Sequence, residues 1–184
     1  MKHIGTKELE TERLILRKFE ISDAENMFKN WSSDSEVTKF LTWETHKSID
    51  DSKEIISFWA KEYEKPDFYQ WAIVLKETNE VIGSISVVKI MEKVNLVETG
   101  YAISRKFWGK GITTEAFKKV IQFLFEKVEI NKLQAKHDLK NPASGKVMKK
   151  CGLIYEGTLR QKGFCNAGVG DLVYYGLLKE EYFS

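Results

Sequence analysis

Residues Gly100–Ala116 read GYAISRKFWGKGITTEA, and this stretch decides the fold. It begins at the end of a strand-like run, Leu96–Ser104, and after Gly111 the apolar period becomes helical. Ile112, Ala116, Val120 and Leu124 form one row, with Phe117, Ile121 and Phe125 beside it. Between the two elements, Gly109 and Gly111 allow the backbone to turn tightly. A helix that starts directly after such a turn leaves several amides unpaired at its N-terminus, where the helix dipole favours an anion. A pyrophosphate suits that arrangement, whereas a turn with glycines for geometry alone is the plainer alternative. Two other phosphate loops fail on spacing. A Walker loop needs Ser or Thr after Lys110, where Gly111 stands, and a dinucleotide fingerprint needs a third glycine where Thr114 stands.

Upstream, Thr11–Phe19 alternates as a strand with Leu14 and Leu16 on one face. Ser22 and Glu25 have capping-box spacing for a helix carrying Ala24, Met27, Phe28 and Trp31. A second amphipathic helix follows Ser48, with Ile55, Ile56, Trp59, Ala60 and Tyr63 on one stripe and Pro66 beyond its end. Phe68–Lys76 and Val81–Met91 read as strands around a turn at residues 77–80. Downstream, a strand near Leu133–His137 precedes a helix with Asn141 as N-cap, Pro142 as first residue and Gly152 as terminator. Ala143, Val147 and Cys151 form its expected core face. Strands near Leu153–Phe164 and Leu172–Leu178 complete the order β-α-α-β-β-β-α-β-α-β-β. That order predicts a mixed α/β fold, one sheet flanked by helices, in a single domain spanning residues 1–184.

Composition narrows the function. Lys and Arg number 29 against 27 acidic residues, interspersed, which gives no nucleic-acid footprint. Cys151 and Cys165 have neither CxxC spacing nor a disulfide framework. His3, His46 and His137 lack mutual spacing for a metal site, so no metal is expected. With no apolar leader core and no membrane-length apolar run, a cytoplasmic location and no membrane partner are expected.

Trp108-x-x-Gly111-x-Thr113 resembles the acetyl-CoA loop of the GNAT superfamily, with Trp and Thr departing from its usual Gln/Arg and Gly/Ala. Phe107-Trp-Gly-Lys-Gly111 followed by Thr114-Glu-Ala116 is similar to the ribosomal-protein N-acetyltransferase (Rim-type) branch. So are Thr11–Arg17, Val81-Ile82-Gly83, Asn141-Pro-Ala-Ser144, Gly152-Leu153 with Glu156-Gly157, and Asp171 with Tyr174, all in the family's order.

The resemblance implies a mostly antiparallel sheet with one splayed parallel strand pair and acetyl-CoA in the gap. Pantetheine would pair with strand backbone at Ile103. Trp108, Gly109, Lys110, Gly111, Ile112, Thr113 and Thr114 would form the pyrophosphate loop, and Asn141 would meet the pantetheine. Lys146, Lys149 and Lys150 either reach the nucleotide phosphates or make a solvated helix face.

An amine attacks a thioester only when neutral, and free amines are mostly protonated at neutral pH, so a base is needed. Glu98 matches the family's frequent strand glutamate; the alternative is a rim carboxylate. Many members protonate the leaving thiolate with a Tyr four residues after Ser144, but here that residue is Met148. Ser144 is then the substitute, or a first-turn serine bonding local backbone. Trp43 is a candidate acceptor contact. The implied partners are acetyl-CoA and an amine, from a peptide N-terminus or a small molecule, with a homodimer left open. A non-catalytic acyl-CoA-binding module is the competing reading.

Overall fold

The computed structural model describes residues 1–184. Strands β1 (Leu9–Glu10) and β2 (Leu14–Arg17) lead to the short helices α1 (Ala24–Met27) and α2 (Ser35–Thr38), and then to the long helix α3 (Ile49–Glu62). Strands β3 (Gln70–Leu75), β4 (Glu80–Met91) and β5 (Leu96–Ile103) form a meander. Helix α4 (Ile112–Phe123), strand β6 (Lys132–Asp138) and helix α5 (Pro142–Lys150) follow. Strands β7 (Ile154–Cys165) and β8 (Gly168–Leu178) form a long hairpin, and α6 (Lys179–Phe183) ends the chain. The eight strands make one sheet in the order β1-β2-β3-β4-β5-β6-β8-β7. Only β5 and β6 run parallel.

Alternation along the strands divides the core between two faces. Leu14, Leu16, Trp71, Ile73, Ile82, Ile85, Val97 and Ile103 pack with the α4 row from Ile112 to Phe125 on one face. Ala72, Val74, Val81 and Ala102 meet Ala24, Met27, Trp31 and Ile56 of the first helices on the other. Each strand of the meander therefore alternates between two buried layers, which explains the near-continuous burial of β3.

Several local expectations are corrected. The strand expected over Thr11–Phe19 is confined to Leu14–Arg17, because Thr11 Oγ1 accepts from the Leu14 amide in a turn. The first helix is not capped by Ser22 and Glu25. Asp23 accepts from the Glu20 amide instead, while its carboxylate pairs with Arg17. That helix also widens into a π-turn over Phe28–Ser32. Ala60 is exposed, so the stripe on α3 is narrower than its spacing suggests. Of the expected core face of α5, Val147 and Cys151 pack inward but Ala143 is exposed, and Gly145 and Met148 are buried instead. The reason is a close approach: a Cβ on Gly145 would lie 2.5 Å from His137 Nε2, so α5 rests its glycine on β6. The Ser48 N-cap, with Asp51 closing its capping box, is present as the sequence indicates.

The geometry that matters most is where β5 and β6 part. They pair from Leu96↔Lys132 to Thr99↔Ala135 and no further. Beyond that point β5 stays with β4, from Gly100↔Ser86 to Ile103↔Gly83. Meanwhile β6 stays with β8, from Lys136↔Tyr174 to Asp138↔Leu172. A wedge opens between two strands that each keep their other neighbour.

Candidate functional site

The wedge presents backbone hydrogen-bonding groups. Ser104 donates its amide to Ile82 on β4, so by alternation Tyr101 and Ile103 turn their amides and carbonyls away from β4, into the gap. The Ile103 carbonyl is taken by the Trp108 indole Nε1 at 3.1 Å. Its amide, and both groups of Tyr101, remain to meet an extended amide-containing ligand. Trp108, half exposed, thus has a definite job at the end of β5: it ties the loop back to the strand.

The loop then turns through two left-handed residues, Gly109 at φ +74° and Gly111 at φ +77°. Gly111 accepts the first helical bond, from the Glu115 amide. The amides of Gly109, Gly111, Ile112, Thr113 and Thr114 have no backbone acceptor, so they are free to bind an anion at the start of α4. Beside them lies an open depression of about 390 Å³, bordered by Gly111, Thr114, Lys118, Lys150, Glu12 and Glu115. Of the three lysines on α5, only Lys150 reaches this depression; Lys149 lies over the Tyr175 ring at 5.9 Å, and Lys146 is exposed. Lys118 joins Lys150 there. Its signal was its place one turn after Thr114.

The loop is braced by the β1–β2 turn. Glu115 accepts from Thr11 Oγ1 at 2.6 Å, from the Arg13 amide at 3.0 Å and from Arg13 Nε at 2.7 Å. Arg13 also donates to the Lys110 carbonyl at 3.1 Å. Burial works to raise the Glu115 carboxyl, but these donors outweigh it and hold the group below its usual range. The Thr11-Glu-Arg13 segment therefore has a mechanical role at the loop that spacing alone does not reveal.

At the start of α5, Asn141 occupies the N-cap position, but its side chain makes no capping bond, and its carbonyl accepts from the Ser144 amide. Ser144 is half-buried, and its hydroxyl lies 2.9 Å from the Tyr101 hydroxyl. Met148 is fully buried in the larger core. Cys151 is buried too; burial pushes its thiol up to about 12, which suits packing and not nucleophilic chemistry.

Glu98 lies on the opposite face of the sheet, since Val97 and Ile103 point to α4 and residues 98, 100 and 102 alternate with them. Its side chain is only 6% exposed. Oε1 pairs with Lys136 Nζ at 2.7 Å, and Oε2 accepts from Gln134 Nε2 at 2.9 Å. Lys136 also approaches the Tyr174 ring, at 6.0 Å. Trp43 is on this side as well, half-buried among the first helices, with its ring 5.4 Å from His46. Its loop is fastened to the tip of the β7–β8 hairpin. Asn166 Nδ2 donates to the carbonyls of Thr38 and Trp43, and the Asn166 amide donates to Leu41. Glu98 and Ser144 thus stand on opposite sides of one gap. No three His, Cys, Asp or Glu side chains come together in a way that could hold a metal ion.

This wedge, with its anion-binding helix start, is matched at the level of sequence. Residues 13–154 fit the profile of the Acetyltransferase (GNAT) domain. The chain belongs to the GNAT acetyltransferases. An uncharacterized N-acetyltransferase, p20 of Bacillus licheniformis, is 33% identical over 174 residues, covering 95% of this chain and 97% of that protein. A ribosomal-protein-serine acetyltransferase of Escherichia coli is 31% identical over 103 residues, 56% of this chain and 57% of its own. A GNAT acetyltransferase from Bacillus anthracis superposes with a TM-score of 0.84 at 25% identity, over 95% of this chain and 100% of the other.

As a GNAT enzyme the chain is an acyl-CoA-dependent acyltransferase that uses acetyl-CoA. The residues present fit that cofactor: free loop amides for the pyrophosphate, Lys118 and Lys150 beside them, and unpaired strand groups for the pantetheine. No helix is long and apolar enough to cross a membrane.

Proposed function

We propose that this GNAT enzyme acetylates a primary amine by direct attack within a ternary complex, and that the amine is the N-terminal α-amine of a protein or a small amine. The observation that carries the reading is the two-sided gap. Donor-binding groups and Ser144 lie toward α4 and α5, while Glu98, Lys136 and Trp43 lie on the other face. An acceptor entering from the Glu98 face meets a thioester presented from the opposite one. The relative that bears the name ribosomal-protein-serine acetyltransferase supports a protein as acceptor.

Bound acetyl-CoA supplies the electrophilic acetyl carbon. Glu98 takes a proton from the incoming ammonium, directly or through water, once the acceptor displaces the Lys136 ammonium from its carboxylate. A backbone amide of the open strand near Ile103, beyond the one the pantetheine takes, faces the wedge and stabilises the oxyanion that forms on attack. Ser144 donates a hydrogen bond to the departing sulfur. Trp43 borders the acceptor.

A panel of amines and N-terminal peptides, with released CoA detected as free thiol, tests the reading. Turnover on at least one α-amine or small primary amine is expected; binding of acetyl-CoA with no CoA release toward any amine defeats it. Glu98→Gln should keep acetyl-CoA binding and lower turnover by roughly 10²–10⁴-fold near neutral pH. The defect should shrink as pH rises, because the amine then arrives already neutral. A variant within about threefold of wild type, or a defect independent of pH, removes Glu98 from the mechanism.

A further inference from the structure

We propose that Tyr101 is the positioning residue for Ser144, turning the serine proton toward the departing sulfur; this rests on the reading of Ser144 given above. Met148, one turn after Ser144, can donate no proton. A phenol hydroxyl nevertheless reaches this turn of α5 from another element. Tyr101 Oη lies 2.9 Å from Ser144 Oγ and 3.0 Å from the Ser144 carbonyl oxygen. Its ring packs on Phe117 with centroids 5.4 Å apart, so α4 fixes the direction from which the hydroxyl arrives.

Counting protons shows what the pair can do. Tyr101 has one proton and two serine oxygens within reach, and the carbonyl can only accept. With the phenol proton on the carbonyl, the Ser144 hydroxyl donates back to Tyr101 and its proton points away from the gap. With the phenol proton on Oγ, the serine proton is released for another acceptor. The sulfur becomes that acceptor as the C–S bond breaks and its electron pair leaves with it. Donation from Tyr101 into Oγ also polarises the serine hydroxyl and strengthens its bond to the thiolate.

No proton leaves Tyr101. Burial raises its phenol above the ordinary range against the opposing effect of the Ser144 bond, so it stays a donor throughout. The C–N bond has already formed when the C–S bond breaks. The thiolate departs held by Ser144 and takes its proton from water on release, while the amine's proton has gone to Glu98.

Steady-state kinetics of Tyr101→Phe, Ser144→Ala and the double variant test the pair, with acetyl-CoA affinity and melting temperature measured alongside. Tyr101→Phe keeps the ring against Phe117 and removes only the hydroxyl. Each single variant should lose roughly 10- to 100-fold in kcat, the range for a hydrogen bond to a developing charge. Acetyl-CoA affinity should stay within about twofold, and the double variant should be no worse than Ser144→Ala alone. A Tyr101→Phe kcat equal to wild type, a loss confined to KM, or losses that multiply in the double variant each overturn the proposal. If the wild type is silent toward every amine, the parent reading fails and this one with it. An active wild type with an unaltered Tyr101→Phe defeats this one alone.

Discussion

Gly111 concentrates several demands in one residue. It adopts φ +77°, a conformation that costs an L side chain, and it accepts the first hydrogen bond of α4. A Cβ there would sit 3.6 Å from the Arg13 guanidinium, so the space is tolerable and the backbone angle is not. Gly111→Val should therefore twist the turn and misdirect the anion-binding amides while leaving the packed body of α4 in place. Acetyl-CoA affinity should fall by about 10- to 100-fold, with circular dichroism unchanged. Binding equal to wild type by calorimetry would place the phosphates elsewhere. The glycines were legible as a turn because left-handed backbone has a compositional signature. The roles of Tyr101 and Lys136 were not, because each depends on a partner more than one element away: Ser144 on α5 for one, Glu98 on β5 for the other.

At the scale of elements, the β1–β2 turn and α4 act as one unit through Glu115. Its folded-state carboxyl lies below its ordinary value of 4.5, so the contribution is full above that value and is lost as pH falls through the lowered one. Weakening of acetyl-CoA binding in acid should accordingly be milder at pH 5 than at pH 4, and Glu115→Gln should abolish that step. Arg13→Ala should raise KM for acetyl-CoA by about two- to tenfold with kcat unchanged, since Arg13 holds the loop and touches no reacting atom. A fall in kcat at constant KM would contradict that role. Long periodic elements such as α3 and α4 could be read from sequence because their amphipathic stripes are set locally. The core face of α5 could be read only in part: Val147 and Cys151 pack inward, but the burial of Gly145 in place of Ala143 follows from its seat on His137, a long-range contact. Likewise the expected Ser22–Glu25 box gives way to one between Glu20 and Asp23, whose carboxylate is held by Arg17 on β2.

For the whole molecule, ligand binding to the native state alone raises stability by RT ln(1 + [L]/Kd). At about 100 times Kd, acetyl-CoA should add roughly 2.7 kcal/mol, or about 5–10 °C in Tm for a chain of this size. NAD at equal concentration should add far less, because its loop requirements are not met here. The mixed α/β sheet was legible in the succession of element types, while the family, and with it the expectation of a single parallel pair, was legible in the glycine turn and the motifs around it. The place where the parallel pair parts was not. It is set by the competition of β4 and β8 for the two strands, and neither strand carries a mark of it.

That parting gives the sheet four edges. Besides β1 and β7 at the outside, β6 has an internal edge from Lys136 to Asp138, and β5 has one from Gly100 to Ile103, where the Tyr101 and Ile103 amides face no strand. In hydrogen exchange, the Tyr101 and Ile103 amides should behave like those of an edge strand although they lie mid-sheet, then slow markedly once acetyl-CoA fills the wedge. Unpaired edges also invite foreign strands. The thioester substrate consequently doubles as a guard against misassociation, and a chain deprived of it should aggregate sooner on warming than one saturated with it.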